Sequence, residues 1–248
     1  MKMIKFFIGF DTREAEAYDV LYASMKKHNS NIEIQPIILS HMQEQGLMTR
    51  KFEKRGGITY DVISNAPCST EFSISRFLTL HLARQQGYRY AVFMDCDMLV
   101  TCDIEEEILQ EILGCGAPIF CTKHNYNPSS DIKMDNQVQT RYGMKNWSSL
   151  VIYDVYHPYN QTLTLDMVNT ARGLDLHQFC WLEDTSVICP LPLDDNGIPI
   201  YNYLVGEYRK PTMVPKLIHY TEGVPSMSGY EDCLYANLWW DYYNEIYK

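Results

Sequence analysis

The chain has 248 residues, 46% of them hydrophobic, and carries 31 Asp and Glu against 21 Lys and Arg for a formal net charge of −10. This length and apolar content suit one large α/β domain with a substantial core. The acidic balance, with no Lys/Arg cluster, argues against nucleic acid as a substrate, and no apolar run approaches the length that spans a bilayer.

Strand-like and helix-like patterns alternate through the front half. The N-terminus is basic and then apolar, but Asp11 follows Phe10 at once, so the apolar part is too short for a signal peptide. Residues 5–10 are read as a first buried strand. Residues 13–28 follow as a helix, with Ala17, Val20, Leu21, Ser24 and Met25 at helical spacing. Residues 32–39 predict strand two, and 61–64 a short third. Residues 71–86 predict an amphipathic helix with Phe72, Ile74, Phe77, Leu78, Leu80 and Leu82 on its apolar side, Ser69-Thr70 as caps and Gly87 as its end. Residues 91–94 read as a buried strand of a parallel sheet. Residues 103–113 predict a short helix whose acidic first turn suits the helix dipole. Residues 118–122 and 148–153 read as strands, and the polar stretch 125–142 as a loop or lid. From residue 190 on, six prolines break regular structure and tyrosines and tryptophans crowd in, as core, as subunit contact in a homo-oligomer, or as a stacking platform. No repeat or linker divides the chain. The alternation implies right-handed crossovers and a mostly parallel sheet flanked by helices.

Eight cysteines contain no C-x-x-C pair, so zinc-site spacing is absent. Most stand in apolar company and read as small core residues. With no export signal, the expected compartment is the reducing cytoplasm rather than one that favours disulfides.

The most informative tripeptide is Asp95-Cys96-Asp97, which falls where the strand 91–94 would emerge from the sheet. Ligands of open α/β sheets bind outside the carboxyl ends of the strands. An extended backbone through Cys96 would place the two carboxylates on one side, roughly 6.6 Å apart along the chain. Apolar residues flank the motif, and burying two charges without a partner is costly. A divalent cation would resolve that, and could also hold a diphosphate.

Taken together, these residues resemble a glycosyltransferase of the GT-A fold, closest to the family 8-like, glycogenin-type enzymes and their small bacterial and viral relatives. Phe7-Ile8-Gly9-Phe10-Asp11 matches the opening strand, so the resemblance places Gly9, Phe10, Asp11 and the adjoining Arg13 at the nucleotide. The segment 69–77 matches the helix whose arginine, here Arg76, lies near the diphosphate. Asp95 and Asp97, with Cys96 between them, match the metal motif, and His219 in His219-Tyr220-Thr221-Glu222-Gly223 matches the late histidine that completes the metal shell. Residues 145–150 match a strand lining the sugar pocket, with Asn146 and Ser148 facing hydroxyls. The lysine usual after the late glycine is missing from Val224-Pro225-Ser226-Met227, and Lys123 or Lys216 stands in for it. The resemblance implies one GT-A domain over 1–248, with a nucleotide-binding half (1–122) and an acceptor- and sugar-binding half (123–248).

It also implies the activity: metal-dependent transfer of a sugar from a nucleoside-diphosphate sugar, a uridine one by family expectation, to a carbohydrate or other hydroxyl acceptor. One histidine among oxygen ligands favours Mn²⁺ over Mg²⁺. The stretch 176–184 combines a His-Gln pair, two aromatics and two carboxylates, and is read as catalytic. In an inverting enzyme Asp184 or Glu183 would be the base on the acceptor hydroxyl. In a retaining one, which the family favours, a leaving phosphate oxygen takes the proton while Gln178 or Asp184 stabilises the sugar cation. The alternatives are a carbohydrate- or nucleotide-binding scaffold that has lost the chemistry, and a sugar nucleotidyltransferase, whose Gly-rich loop after strand one is not matched by Phe10-Asp11-Thr12-Arg13-Glu14.

Overall fold

A computed structural model gives the fold and describes residues 1–125 and 143–248, with the backbone of two short strands between them. The front of the chain forms β1 (Lys2–Phe10), α1 (Ala15–His28), β2 (Ile34–Ile38), α2 (Leu39–Glu44), and three short strands, β3 (Phe52–Arg55), β4 (Ile58–Asp61) and β5 (Ala66–Pro67). Next come α3 (Thr79–Gln86), β6 (Tyr88–Met94), β7 (Met98–Val100), α4 (Ile104–Ile112), β8 (Ile119–Cys121), β9 (Ile132–Lys133) and β10 (Gln137–Val138). The remainder holds β11 (Leu150–Asp154), α5 (Pro158–Gln161), α6 (Leu165–Thr170), α7 (Gly173–His177), β12 (Ile188–Pro190), β13 (Tyr203–Leu204), β14 (Leu217–His219) and α8 (Ala236–Tyr247).

The main sheet has six strands in the order β12-β8-β11-β6-β1-β2. β1 runs parallel to β2 and to β6, and β12 parallel to β8, while β11 is antiparallel to both its neighbours. The expected fold class therefore holds: a mixed, mostly parallel sheet with helices on it. β1 and β6 are covered on both faces, which is why they read as near-continuous apolar runs. Phe6, Phe7, Ile8 and Ala91 through Met94 have no exposed surface.

A second sheet, β13-β14-β7, sits at the point where β6 leaves the main one. β14 runs antiparallel to β7 and parallel to β13. A separate apolar cluster seals it, joining Ala17 and Val20 of α1, Leu99, Ile218, Tyr203 and Trp239 of α8. Thus the C-terminal aromatics build core and a terminal helix, which the proline-rich texture before them concealed.

Other boundaries moved for identifiable reasons. The helix expected over 71–86 is α only from Thr79, after a 3₁₀ turn at Ser75–Leu78. Ser73 closes a local turn instead: its Oγ accepts from Thr70 N at 3.0 Å and donates to Thr70 O at 2.8 Å. Hydroxyl side chains compete with helix in this way. Gly87 does end α3, in the left-handed conformation (φ 75°). The third strand lies at Ile58–Asp61 rather than 61–64, paired to β3 and β5. The strand expected over 148–153 begins with a 3₁₀ turn at Trp147–Ser149. The lid expected over 125–142 lies outside the described residues, apart from Asn125, β9 and β10. No helix among the described residues is long and apolar enough to cross a membrane.

Candidate metal and donor site

β6 ends at Met94, and Asp95 N–H still donates to Ser149 O at 2.9 Å. The chain then turns at Cys96 and Asp97, so the extended geometry expected for the pair is replaced by a turn. β7 begins at once, and the register of β14 sets His219 opposite Met98. Tyr220 N–H donates to Asp97 O at 2.9 Å and locks the two segments together. As a result, one ligand atom from each of Asp95, Asp97 and His219 lies within 4.8 Å of the others. Asp97 and His219 are buried, Asp95 partly so.

These residues fit a divalent cation. His219 Nδ1 lies 2.7 Å from Asn202 Oδ1. Its Nε2 is buried, makes no hydrogen bond, and sits 3.2 Å from Asp97 Oδ1. An imidazole lone pair turned toward a carboxylate oxygen is stabilised by a positive centre between them. Two carboxylates and one imidazole suit Mn²⁺, or Mg²⁺ with more oxygen ligands from water and substrate.

Arg76, only 6% exposed, stands beside this cluster. Its Nη1 forms an ion pair with Asp95 Oδ1 and donates to Ser148 O, both at 2.9 Å. The guanidinium lies 4.9 Å from the Phe93 ring centre and 5.2 Å from that of Phe72. A carboxylate offers about four lone-pair sites, so an ion pair to one oxygen leaves Asp95 able to ligate. Cys96 is fully buried, its Sγ donating to Glu14 Oε2 at 3.1 Å. Burial, then the Glu14 charge, push its thiol well above the usual range.

The end of β1 is tightly ordered. A Cβ on Gly9 would stand 2.4 Å from the Phe72 ring, so glycine lets β1 meet the turn that carries Phe72. Phe10 is half-buried against the edge of Tyr18 at 5.3 Å between ring centres. Asp11 accepts from Arg13 N (2.9 Å), Arg13 Nε (3.0 Å), Arg13 Nη2 (2.7 Å) and Glu71 N (3.0 Å). Burial pulls its pKa upward, but these hydrogen bonds outweigh it and hold the carboxyl below its ordinary value. A cavity of about 260 Å³ adjoins, lined among others by Thr12, Arg13, Glu14, Val224 and Ser226.

Residues 123 and 146–148 form a neighbouring group. Lys123 lies over the Trp147 ring at 5.6 Å. Asn146 takes a left-handed conformation (φ 62°), and Ser148 Oγ lies 2.7 Å from His177 Nδ1. Burial, then the Arg76 charge, push His177 down to about 3. Lys216 is engaged by Glu107 and by Tyr201 Oη at 3.2 Å. Gln178, Glu183 and Asp184 are exposed. Asp184 caps the 3₁₀ turn Thr185–Val187, its Oδ1 accepting from Ser186 N at 2.8 Å. The Ser186 hydrogen bonds hold its carboxyl below the usual range, with a smaller contribution from the Lys123 charge.

Sequence reasoning missed Asn202 and His124. Asn202 is fully buried, and its Nδ2 lies 2.9 Å from both His124 Nε2 and Ser149 Oγ. His124 Nδ1 lies 2.9 Å from Tyr208 Oη, and Trp147 Nε1 donates to His124 O at 3.0 Å. Burial, then the neighbouring His219, push His124 down to about 3. The available signal was a polar residue set among large aromatics, as in Tyr201-Asn202-Tyr203.

The fold is the GT-A fold of glycosyltransferases. Solved structures similar to the chain include WbbM, described as a bifunctional glycosyltransferase, at 16% identity and TM-score 0.60 over 98% of this chain and 50% of that one. GlyE of Streptococcus pneumoniae matches at 12% identity and TM-score 0.55, over 98% of this chain and 60% of its own. The galactosyltransferase LgtC, solved with donor and acceptor sugar analogues, matches at 11% identity and TM-score 0.56, over 99% of this chain and 97% of its own. The chain thus spans about half of WbbM and three-fifths of GlyE. No protein-family model matches the sequence. By sequence, the chain belongs to the family of Protein CDI from Arabidopsis thaliana, with 41% identity over all of this chain and 88% of that protein.

Proposed function

We propose that this protein is a metal-dependent glycosyltransferase of the family 8-like, glycogenin type. It moves a sugar from a nucleoside-diphosphate sugar, uridine diphosphate in the first instance, to a hydroxyl of a carbohydrate or other acceptor. The observation that carries this reading is the convergence of Asp95, Asp97 and His219 within 4.8 Å at the carboxyl end of a central strand, where sheets of this kind bind ligands.

In this reading Asp95, Asp97 and His219 hold Mn²⁺ or Mg²⁺. The cation, when bound, supplies Lewis-acid neutralisation of the leaving diphosphate. Arg76 fixes Asp95 and adds positive charge on the phosphate side. Gly9, Phe10, Asp11 and Arg13, with the cavity beside them, receive base and ribose, and Cys96 contributes backbone. Lys123 stands in for the missing diphosphate lysine, and Asn146 and Ser148 border the sugar. Residues 1–122 serve the nucleotide and 123–248 the sugar and acceptor. Gln178, Glu183 and Asp184 are assigned to the chemical step. With retention, Gln178 or Asp184 stabilises the oxocarbenium-like sugar and a phosphate oxygen takes the acceptor proton. With inversion, Asp184 or Glu183 takes it.

The test is release of nucleoside diphosphate from a panel of nucleotide sugars, with and without Mn²⁺ and hydroxyl acceptors. Mn²⁺-dependent release that disappears in Asp97→Ala supports the proposal. Mn²⁺-dependent binding of nucleotide sugars without any release points instead to a binding scaffold that has lost the chemistry.

A further inference from the structure

We infer that Asn202 is the positioning residue of the metal site: it holds the proton of His219 on Nδ1 and thereby keeps Nε2 as the lone pair offered beside Asp97. This rests on the metal-site reading above.

The orientation of the Asn202 amide follows from its neighbours. Ser149 Oγ donates to Asn146 O at 2.6 Å, so its hydroxyl proton is already engaged. Its oxygen is therefore an acceptor toward Asn202, 2.9 Å away, and the NH₂ end of the amide must face it. The same NH₂ group meets His124 Nε2 at 2.9 Å and approaches Asn146 O at 3.4 Å. With the NH₂ turned that way, Oδ1 faces His219 Nδ1 at 2.7 Å. An amide oxygen only accepts, so His219 carries its proton on Nδ1. The other end of the network agrees. His124 Nε2 accepts from Asn202, so Nδ1 carries the proton and donates to Tyr208 Oη at 2.9 Å.

Two further features mark Asn202 as built for this place. It is fully buried, so every polar atom requires a partner inside the protein. Its backbone is left-handed (φ 57°), a conformation that asparagine and aspartate adopt far more readily than branched or bulky residues. β13 begins one residue later and pairs with β14 in the register Leu204 opposite His219. The strand that carries the histidine and the residue that orients it are thus fixed by one ladder. A ligating imidazole whose second nitrogen is held by an acceptor keeps its tautomer and ring plane, and losing such a partner lowers metal affinity by about 10–100-fold.

The experiment compares the full-length wild type, Asn202→Gly and Asn202→Asp. Glycine tolerates the left-handed backbone and removes every side-chain contact, while aspartate keeps an acceptor at Oδ1. Nitrogen-15 NMR of the histidine rings, in metal-free protein at about pH 9 where imidazole is neutral, reads the tautomer directly. The expected result is Nδ1–H at His219 in the wild type and in Asn202→Asp, and a shift toward Nε2–H in Asn202→Gly, with far-UV circular dichroism unchanged. The same His219 signature in the wild type and Asn202→Gly, or Nε2–H in the wild type, overturns the inference. Mn²⁺ titration followed by electron paramagnetic resonance adds a second readout: affinity about 10–100-fold lower in Asn202→Gly and within about threefold in Asn202→Asp. Equal affinity in all three overturns it. A wild type that binds no Mn²⁺ defeats the metal-site reading, while the tautomer measurement still decides the role of Asn202.

Discussion

Arg76→Met separates the charge of Arg76 from its packing. Methionine keeps an unbranched stem against Phe72 and Phe93 but leaves Asp95 without the guanidinium that pairs with it at 2.9 Å. Removing one partner of a buried ion pair costs about 3–5 kcal/mol, because the other charge stays buried and uncompensated. The Asp95 side chain keeps 15% of its surface in water, which puts the cost near the lower end, about 3 kcal/mol. In a chain of this length each kcal/mol moves the unfolding temperature by about 2–4 °C, giving a fall of about 6–12 °C. Two further measurements give this number its meaning. Asp95→Asn in the same background needs no neutralising cation and should recover at least about 1 kcal/mol as coupling energy. Saturating Mn²⁺, by supplying positive charge at Asp95, should narrow the gap between Arg76→Met and wild type. Calorimetric unfolding of the four proteins, with and without Mn²⁺, provides the assay. A loss below about 1 kcal/mol in Arg76→Met, or the same loss in both Asp95 backgrounds, refutes the electrostatic reasoning.

Three other outcomes follow from named contacts. Gly9→Ala drives a methyl into the Phe72 ring, 2.4 Å away, and should lower stability by about 1–3 kcal/mol, with partial recovery in a Phe72→Leu background, as read by thermal unfolding. Asp184→Ser keeps an N-cap side chain but removes the carboxylate. Unfolding should be unchanged while turnover falls about 10²–10⁴-fold, and unchanged turnover assigns Asp184 to capping alone. Asp61 is buried, which pulls its pKa up, yet hydrogen bonds from Arg50 and Ser64 prevail and hold the folded value below the unfolded one. Its contribution is therefore complete above the unfolded value and is lost as pH falls through the folded one. The stability difference between wild type and Asp61→Asn should narrow below about pH 4, and a constant difference in acid would contradict the assignment.

The parts of this protein that were legible in the sequence are those set by local periodicity. β1, α1, β2, β6 and α4 appeared close to where they lie, because each buries a repeating face or a continuous apolar run. Asp95 and Asp97 were legible because two carboxylates at the end of such a run are physically conspicuous. His219 was visible through resemblance alone; its place beside Asp97 depends on the β7–β14 register. Asn202 and His124 were not legible, since their role rests on contacts between segments remote in sequence and on a left-handed backbone that no single residue announces. The C-terminal helix was hidden by its composition, as tyrosine and tryptophan are weak helix formers whose helicity here comes from packing of Trp239 into the second cluster. The start of the helix expected at residue 71 failed because Ser73 bonds back to Thr70.

The proposed transfer requires Asp95, Asp97 and His219 to hold a cation that in turn holds a diphosphate. Calorimetric titration of uridine diphosphate into the wild type and Asp97→Asn, each with and without Mn²⁺, measures this directly. The expected result is binding by the wild type only when Mn²⁺ is present, and none by the variant under either condition while its circular dichroism matches wild type. Equal binding in the absence of Mn²⁺, or undiminished Mn²⁺-dependent binding by Asp97→Asn, would contradict it.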